Sequence, residues 1–333
     1  MKIRIIGGGV AGLTCAFLFA KAGCKVDIFE RLAQNGKGCS WYAGGMLAPW
    51  CELESAEPIV SEWGQESLAF WKAEFTGTQS FGSIVVAPSR DASELKRFAR
   101  RTNNFNWVDS SQIVQLEPDL EDRFAAALYF ENEAHLDPRA ALESLTKRLK
   151  TEFGAEFYYN MQINKSVFED SAWDWTIDCR GFSSQDAFEN LRGVKGEMLI
   201  LKSSDISLKR PIRLLHPRFP VYIVPREGGL FMVGATMIET SECGRITARS
   251  VMELLNAAYA VHPAFGEAEI VEMGCDLRPS FPDNLPKIKR GKGNVLHVNG
   301  LYRHGFLLAP ALAKRVVDMT LNNAYFEKIM DED

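Results

Sequence analysis

Three glycines within the first twelve residues constrain this chain more than any other feature. An apolar run, Ile3 to Ile6, leads into Gly7, Gly9 and Gly12; an amphipathic helix follows, and a second run, Lys25 to Phe29, ends at Glu30. Strand, tight turn, helix, strand and acid make a βαβ unit, whose Gly-rich turn offers backbone N–H groups and a helix N-terminus to a pyrophosphate. Gly7 permits the turn, Gly9 lets phosphates approach the backbone, and Gly12 lets helix and strand pack closely. Val10 and Ala11 open the helix, and Glu30 can accept from ribose hydroxyls. The glycines alone are a weak signal. Their context is not: Leu13, Ala16, Phe17 and Ala20 fall at helical spacing, and Gly23 stands where a helix ends in a left-handed residue. The ligand is therefore a dinucleotide. Glu30 disfavours a phosphorylated ribose, which sets NADP aside and leaves FAD and NAD open.

A chain of 333 residues suits two interleaved domains or one large α/β body. Its formal charge of −5 argues against a nucleic-acid partner. Lys96, Arg97, Arg100 and Arg101 read as the solvated face of an amphipathic helix. The seven cysteines show no Cys-x-x-Cys and no metal-like spacing, so no metal and no disulfide framework is expected, and the compartment is reducing. Met1 and Lys2 run straight into the first strand without a signal peptide, and no apolar run is long enough to span a bilayer, so the expected location is cytoplasmic. Asn164-Lys165-Ser166 matches a glycosylation acceptor by chance, and the acidic end, Asp331 to Asp333, is expected to fray.

Further along, Cys39-Ser40-Trp41-Tyr42-Ala43-Gly44-Gly45-Met46-Leu47-Ala48-Pro49 places small residues after the Glu30 strand, where a flavin's phosphates and ring would extend. Arg31 follows the acid directly. A helix carries Trp63, Leu68, Phe70 and Trp71, and a strand lies near Ile84 to Ala87. Asp137 and Pro138 form a cap and first-turn proline for a helix reaching about Lys150. A strand over Trp173 to Ile177 ends in Asp178-Cys179-Arg180-Gly181, with Gly181 at the C-terminal edge where such sheets keep their ligand. From Val194 to about Glu272 the pattern turns antiparallel, with Val221 to Val224 and Leu230 to Gly234 as a hairpin. Asn294 to Val298 and a helix from Leu307 to Met319 then rejoin the first domain. The expected division is discontinuous: 1–80, 135–195 and 275–333 against 81–134 and 196–274.

These stretches together resemble the D-amino-acid oxidase family. The resemblance rests on the opening βαβ unit with Glu30, Ala-Gly-Gly-Met-Leu-Ala-Pro at 43–49, Tyr-Ile-Val-Pro-Arg at 222–226 and Val-Gly-Ala-Thr-Met at 233–237. Leu-Arg-Pro at 277–279 and Arg-His-Gly-Phe-Leu-Leu-Ala-Pro at 303–310 complete it. Within that family the glycine oxidases of thiamine biosynthesis look most similar, in order over nearly the whole chain. The resemblance implies an α/β fold: an FAD-binding, Rossmann-like domain of glutathione-reductase type, and a second domain whose antiparallel sheet covers the flavin. It implies noncovalent FAD, with Arg278 pairing with the substrate carboxylate, Tyr222 enclosing it and Met237 lining a small pocket. Arg303, His304, Gly305, Phe306 and Leu307 match the segment that passes the flavin edge.

The chemistry agrees with those roles. A planar guanidinium grips a carboxylate bidentately and so fixes an α-carbon for transfer. A buried phenol needs a hydrogen-bond partner, which an anionic substrate provides. No His/Asp dyad stands out as a base. The family is thought to move the α-hydrogen as hydride to flavin N5 from a neutral amine, so orientation and desolvation are what the residues must supply. The expected substrates are glycine, or another small amine, and molecular oxygen, and self-association stays open. A sarcosine or small D-amino-acid oxidase, a dehydrogenase, a flavoprotein acting on a partner protein and a non-turnover flavin sensor are the alternatives. Two departures stand out. Family members often carry histidine two positions before the active-site tyrosine, where this chain has Pro220, and the Asp178 to Gly181 ending brings charge close to the cofactor site. Cys275 lies where some sarcosine oxidases attach flavin, yet a thiol there more often packs as a small hydrophobe.

Overall fold

The computed structural model describes residues 1–34, 37–163, 168, 172–216 and 220–331, so the Asn164-Lys165-Ser166 match and residues 332–333 lie outside the described residues. The run Ile3 to Ile6 is buried along its length because helices cover one face of the sheet it enters, over Ile3 and Ile5, while Phe168 and Trp173 cover Ile6 and Arg4 on the other. That sheet has seven strands, in the spatial order Met330–Asp331, Lys287–Arg290, Val295–Asn299, Trp175–Asp178, Lys2–Ile6, Lys25–Phe29, Glu156–Tyr158. The last five are parallel, with Ile6 opposite both Phe29 and Asp178. Their C-terminal ends therefore share one edge.

The first helix, Val10–Lys21, starts straight after the glycine turn and ends before Gly23, which has φ +82°. Helix Pro138–Phe153 is capped as its sequence demands: the Asp137 side chain accepts from Arg139 N at 2.8 Å, Pro138 opens the first turn, and Gly154 closes it with φ +64°. Helices Pro58–Glu74 and Gly305–Leu321 complete the cover. Ile5, Leu13, Phe17, Ile28, Ile177, Leu296 and Leu312 meet in the core beneath them. Helix Ala92–Arg101 buries Leu95 and Phe98 and leaves its basic face in solvent.

The second sheet has nine strands and is antiparallel apart from the pairing of Ile212–Leu214 with Ser83–Val86. Its longest pair joins Arg192–Lys202 to Glu269–Ser280, and Val221–Arg226 pairs with Leu230–Gly234 through a turn in which Gly228 and Gly229 have φ +74° and +72°. We propose the same discontinuous two-domain division, with the strands Arg192–Lys202 and Glu269–Ser280 assigned whole to the antiparallel sheet. Buried Glu133 links the parts: it accepts from Trp50 N at 3.1 Å, from Cys51 N at 2.8 Å and from the Ser83 hydroxyl. Burial pushes its carboxyl up to about 7.

The expected fraying of the acidic end needs correction at Asp331. Met330 and Asp331 pair parallel with Ile288 and Lys289, because the neighbouring Ile329 is anchored in the core. All seven cysteines are free thiols. No helix among the described residues is long and apolar enough to cross a membrane.

Candidate active site

The C-terminal edge of the parallel strands faces the antiparallel sheet across a cavity of about 540 Å³. Every candidate residue named from the sequence lines it except Gly12, which lies behind the wall. Glycine is required at the turn. An added Cβ would stand 2.4 Å from Cys179 O at Gly7, where φ is +106°, and 1.9 Å from Gly7 O at Gly12. The turn is held from outside as well. Ser40 Oγ accepts from Val10 N at 3.0 Å, and Glu30 accepts from Gly8 N at 2.6 Å and from Leu32 N at 2.9 Å. The acid thus shapes the turn and also lines the cavity.

Gly44 and Gly45 carry the chain past the middle of the cavity. An added Cβ on Gly44 would lie 2.7 Å from the Tyr222 ring, and Gly45 has φ +78°. Arg226 donates to Ala43 O at 3.1 Å, which fixes this segment to the hairpin. At the near end, Arg31 donates to Ser183 Oγ at 2.8 Å and Gly181 O accepts from Asn299 at 2.8 Å. The helix beginning at Gly305 has His304 as its N-cap residue and aims its N-terminus at the same space.

On the antiparallel side, Arg278 donates from Nη1 to Thr236 O at 2.9 Å, and its guanidinium lies over Gly196, where an added Cβ would come within 2.2 Å of Nη2. Among the described residues no carboxylate pairs with it. Tyr222 stands opposite Gly234 in the hairpin, and burial pushes its phenol up, so it remains a donor at neutral pH. Met237 is half exposed at the mouth, and its sulfur lies 3.4 Å from the Tyr302 hydroxyl and 3.8 Å from Arg303 Nη1. Pro220 lines the wall.

The family model described as DAO, FAD dependent oxidoreductase, matches residues 2–319. The chain belongs to this family. A Rhizobium etli protein named for a thiamine biosynthesis oxidoreductase, ThiO, is 51% identical over 319 residues, covering 95% of each chain. A glycine oxidase of Bacillus licheniformis is 25% identical over 352 residues, covering 96% of this chain and 92% of its own. Among solved structures, glycine oxidase from Geobacillus kaustophilus superposes with a TM-score of 0.82 at 24% identity, covering 97% of this chain and 95% of its own, which shows the shared fold.

The cofactor of this oxidoreductase is FAD, and its residues fit that group. The cradle around Gly7 has no room for a side chain, and the buried Nε of Arg303 has no hydrogen-bond partner among the described residues. Attachment is noncovalent: the Cys275 thiol donates to Gly244 O at 2.9 Å and does not reach the cavity wall. The charge brought by Arg180 is balanced, since Asp178 accepts from it at 2.8 and 3.0 Å and Asp186 at 2.8 Å. Asp178 is also 2.8 Å from His297.

Two residues of the oxidoreductase's cavity were missed in sequence. Glu52 accepts from Arg303 Nη2 at 2.7 Å, and it lies 3.5 Å from Arg213 Nη1 and 3.6 Å from His304 Nδ1. Its one signal is its place just after the 43–49 run. Arg213 interrupts the apolar pair Ile212 and Leu214, a charge where a buried strand should have none. Burial alone would raise the Glu52 carboxyl, but Arg303, His304 and Arg213 outweigh it and hold it at about 2. Burial, with Arg303, Arg213 and Arg278 adding to it against Glu52, brings His304 down to about 4. At neutral pH the cluster is an anionic Glu52, a neutral His304 and two cations.

The Glu52 pairing has a consequence for acid stability. The folded value lies below the ordinary 4.5, so the stabilisation is complete above pH 4.5 and is lost as pH falls towards 2. A shift of this size is worth about 3 kcal/mol. Wild type is expected to lose stability over that window, and Glu52→Gln to show a flatter profile there, measured by denaturant unfolding at pH 3 to 6.

Proposed function

We propose that this oxidoreductase oxidises glycine, or another small amino acid, at the α-carbon in the cytoplasm, in the thiazole branch of thiamine biosynthesis. The amino acid loses two electrons and two protons to become an imine, and molecular oxygen takes both pairs to become hydrogen peroxide. The imine either passes to thiazole assembly or takes up water to give glyoxylate and ammonia. The observation that carries this reading is Arg278, a guanidinium with no carboxylate partner among the described residues, beside the buried Tyr222 phenol inside the cavity of an FAD oxidoreductase. The names of the 51% and 25% identical relatives support it.

FAD, when bound, supplies the two-electron acceptor. Gly7, Gly9, Val10 and Ala11 would hold its pyrophosphate, with Gly12 keeping that turn packed; Glu30 and Arg31 would serve the adenosine end with Gly181. Ser40, Ala43, Gly44, Gly45 and Met46 would border its middle. Arg303, His304, Gly305, Phe306 and Leu307 would border its ring, with Arg278 next to it. Arg278 would grip the substrate carboxylate, Tyr222 would donate to it, and Met237 would close the mouth against water. With Glu52 anionic and His304 neutral, Arg303 and Arg213 leave this side of the cavity with a positive excess, which favours the neutral amine.

Anaerobic mixing of the purified yellow protein with glycine, sarcosine, D-alanine and D-proline tests the reading. Glycine is expected to bleach the flavin band fastest, with peroxide formed when air returns. Faster bleaching by sarcosine or D-proline would move the assignment to that amine, and no bleaching by any would end the glycine reading.

A further inference from the structure

A single substrate carboxylate leaves the cationic side of this cavity under-used. Arg213, Tyr222 and Gly234 stand directly opposite one another on three neighbouring strands, and the row continues to Met198 on the next. Arg213 therefore presents its side chain on the same face as Tyr222, and it lines the same cavity. Its guanidinium lies 5.1 Å from the centre of the Phe98 ring, and its one polar contact among the described residues is the long one, 3.5 Å, to Glu52. The short contact of Glu52 belongs to Arg303 at 2.7 Å, and Arg303 also holds Ser55 at 2.8 Å. Around Tyr222, three guanidiniums face one carboxylate. Two of them, Arg213 and Arg278, keep most of their donors without an acceptor among the described residues.

The two lie on opposite sides of Tyr222. Arg278 places its head over Gly196, two residues from Met198 on the far strand of the row, and Arg213 starts from the near strand. Three strand spacings separate these lines by roughly 14 Å at the backbone. Two arginine arms reaching inward from such a separation leave room for a small molecule with a carboxylate at each end, each positioned for a charge-assisted, forked contact. Glycine reaches one arginine only.

We infer that Arg213 is a second carboxylate reader and that the site takes amines bearing two carboxylates, with Arg278 on one and Arg213 on the other. The simplest such amine has its nitrogen between the two acids, as in iminodiacetate; a dicarboxylic α-amino acid carries the same pair on one side. The inference rests on the amine-oxidase reading for its chemistry, whereas its test needs only binding.

The test titrates the purified holoenzyme with anions that cannot be oxidised as amines, following the flavin absorbance. Oxydiacetate mimics iminodiacetate, succinate mimics a dicarboxylic amino acid, and methoxyacetate has the same ether with one carboxylate. Either dianion is expected to bind at least 10-fold tighter than methoxyacetate, and whichever is tighter identifies the class. In Arg213→Gln that ratio is expected to fall towards one, with Arg213→Lys in between. Equal binding of dianions and monoanion by the wild type, which needs no variant, overturns the inference, and so does a ratio that survives Arg213→Gln. Failure of iminodiacetate and aspartate as well as glycine to bleach the flavin would count against the amine chemistry and leave this ratio intact, so the two readings fail separately.

Discussion

Arg278→Ala is expected to lower kcat/KM for glycine by roughly 10²- to 10³-fold, while the purified protein stays yellow. The size follows from what is removed. A guanidinium and a carboxylate in a partly buried site form charge-assisted, forked hydrogen bonds, and truncating one partner leaves the other charge poorly solvated, at a cost of about 3–4 kcal/mol. Retention of FAD follows from the contacts. The polar bond that Arg278 makes within the protein goes to Thr236 O in the antiparallel half, whereas the phosphate cradle is built from Gly7, Ser40 and Glu30. Arg278→Lys keeps the charge and loses the fork, and it is expected to recover about tenfold of the loss. Oxygen consumption with glycine gives kcat/KM, and the ratio of absorbance at the protein and flavin bands gives occupancy. A variant that turns over glycine at the wild-type rate would remove Arg278 from the substrate site.

The cradle was legible in the sequence because its constraints are local. Glycine positions, helix spacing and a terminal acid all lie within thirty residues, and at Gly7 and Gly12 the backbone admits no side chain. The cap at Asp137 and Pro138 was legible for the same reason. Glu52 and Arg213 were not. Each looks ordinary in its own segment, and they acquire a role when a 3₁₀ turn after the first domain's small-residue run meets a strand that lies over 150 residues later. Their partners, Arg303 and Tyr222, come from two further segments. Long-range ion pairing leaves no periodic trace in a chain. What could have pointed to Arg213 is its violation of pattern, a charge between two fully buried apolar neighbours, since local rules fail most often where function imposes another requirement. The acidic terminus misled in the opposite sense: a charged tail reads as solvated, yet Ile329 anchors it and Asp331 joins the sheet.

Gly12→Ala is expected to leave the protein without FAD, although Gly12 does not touch the cavity. An added methyl would stand 1.9 Å from Gly7 O and 3.0 Å from Gly7 C, both backbone atoms that no rotamer change can move aside. The helix must therefore shift away from the first strand, carrying Val10 N from Ser40 Oγ and the turn from Glu30. Overpacking of this kind costs about 3 kcal/mol, equivalent to a fall in FAD affinity of roughly 100-fold or more when the distortion falls on the binding turn. Gly244→Ala is the matched control, because an added Cβ there meets nothing within 4 Å and φ is not in the left-handed range. It should purify yellow with wild-type absorbance. FAD content of the two variants, measured after desalting and again after incubation with excess FAD, separates weakened binding from misfolding. A Gly12→Ala protein that keeps its flavin through desalting would show that the turn can move without losing its grip on the phosphates, and the close packing of helix on strand would then not be what the glycine is for.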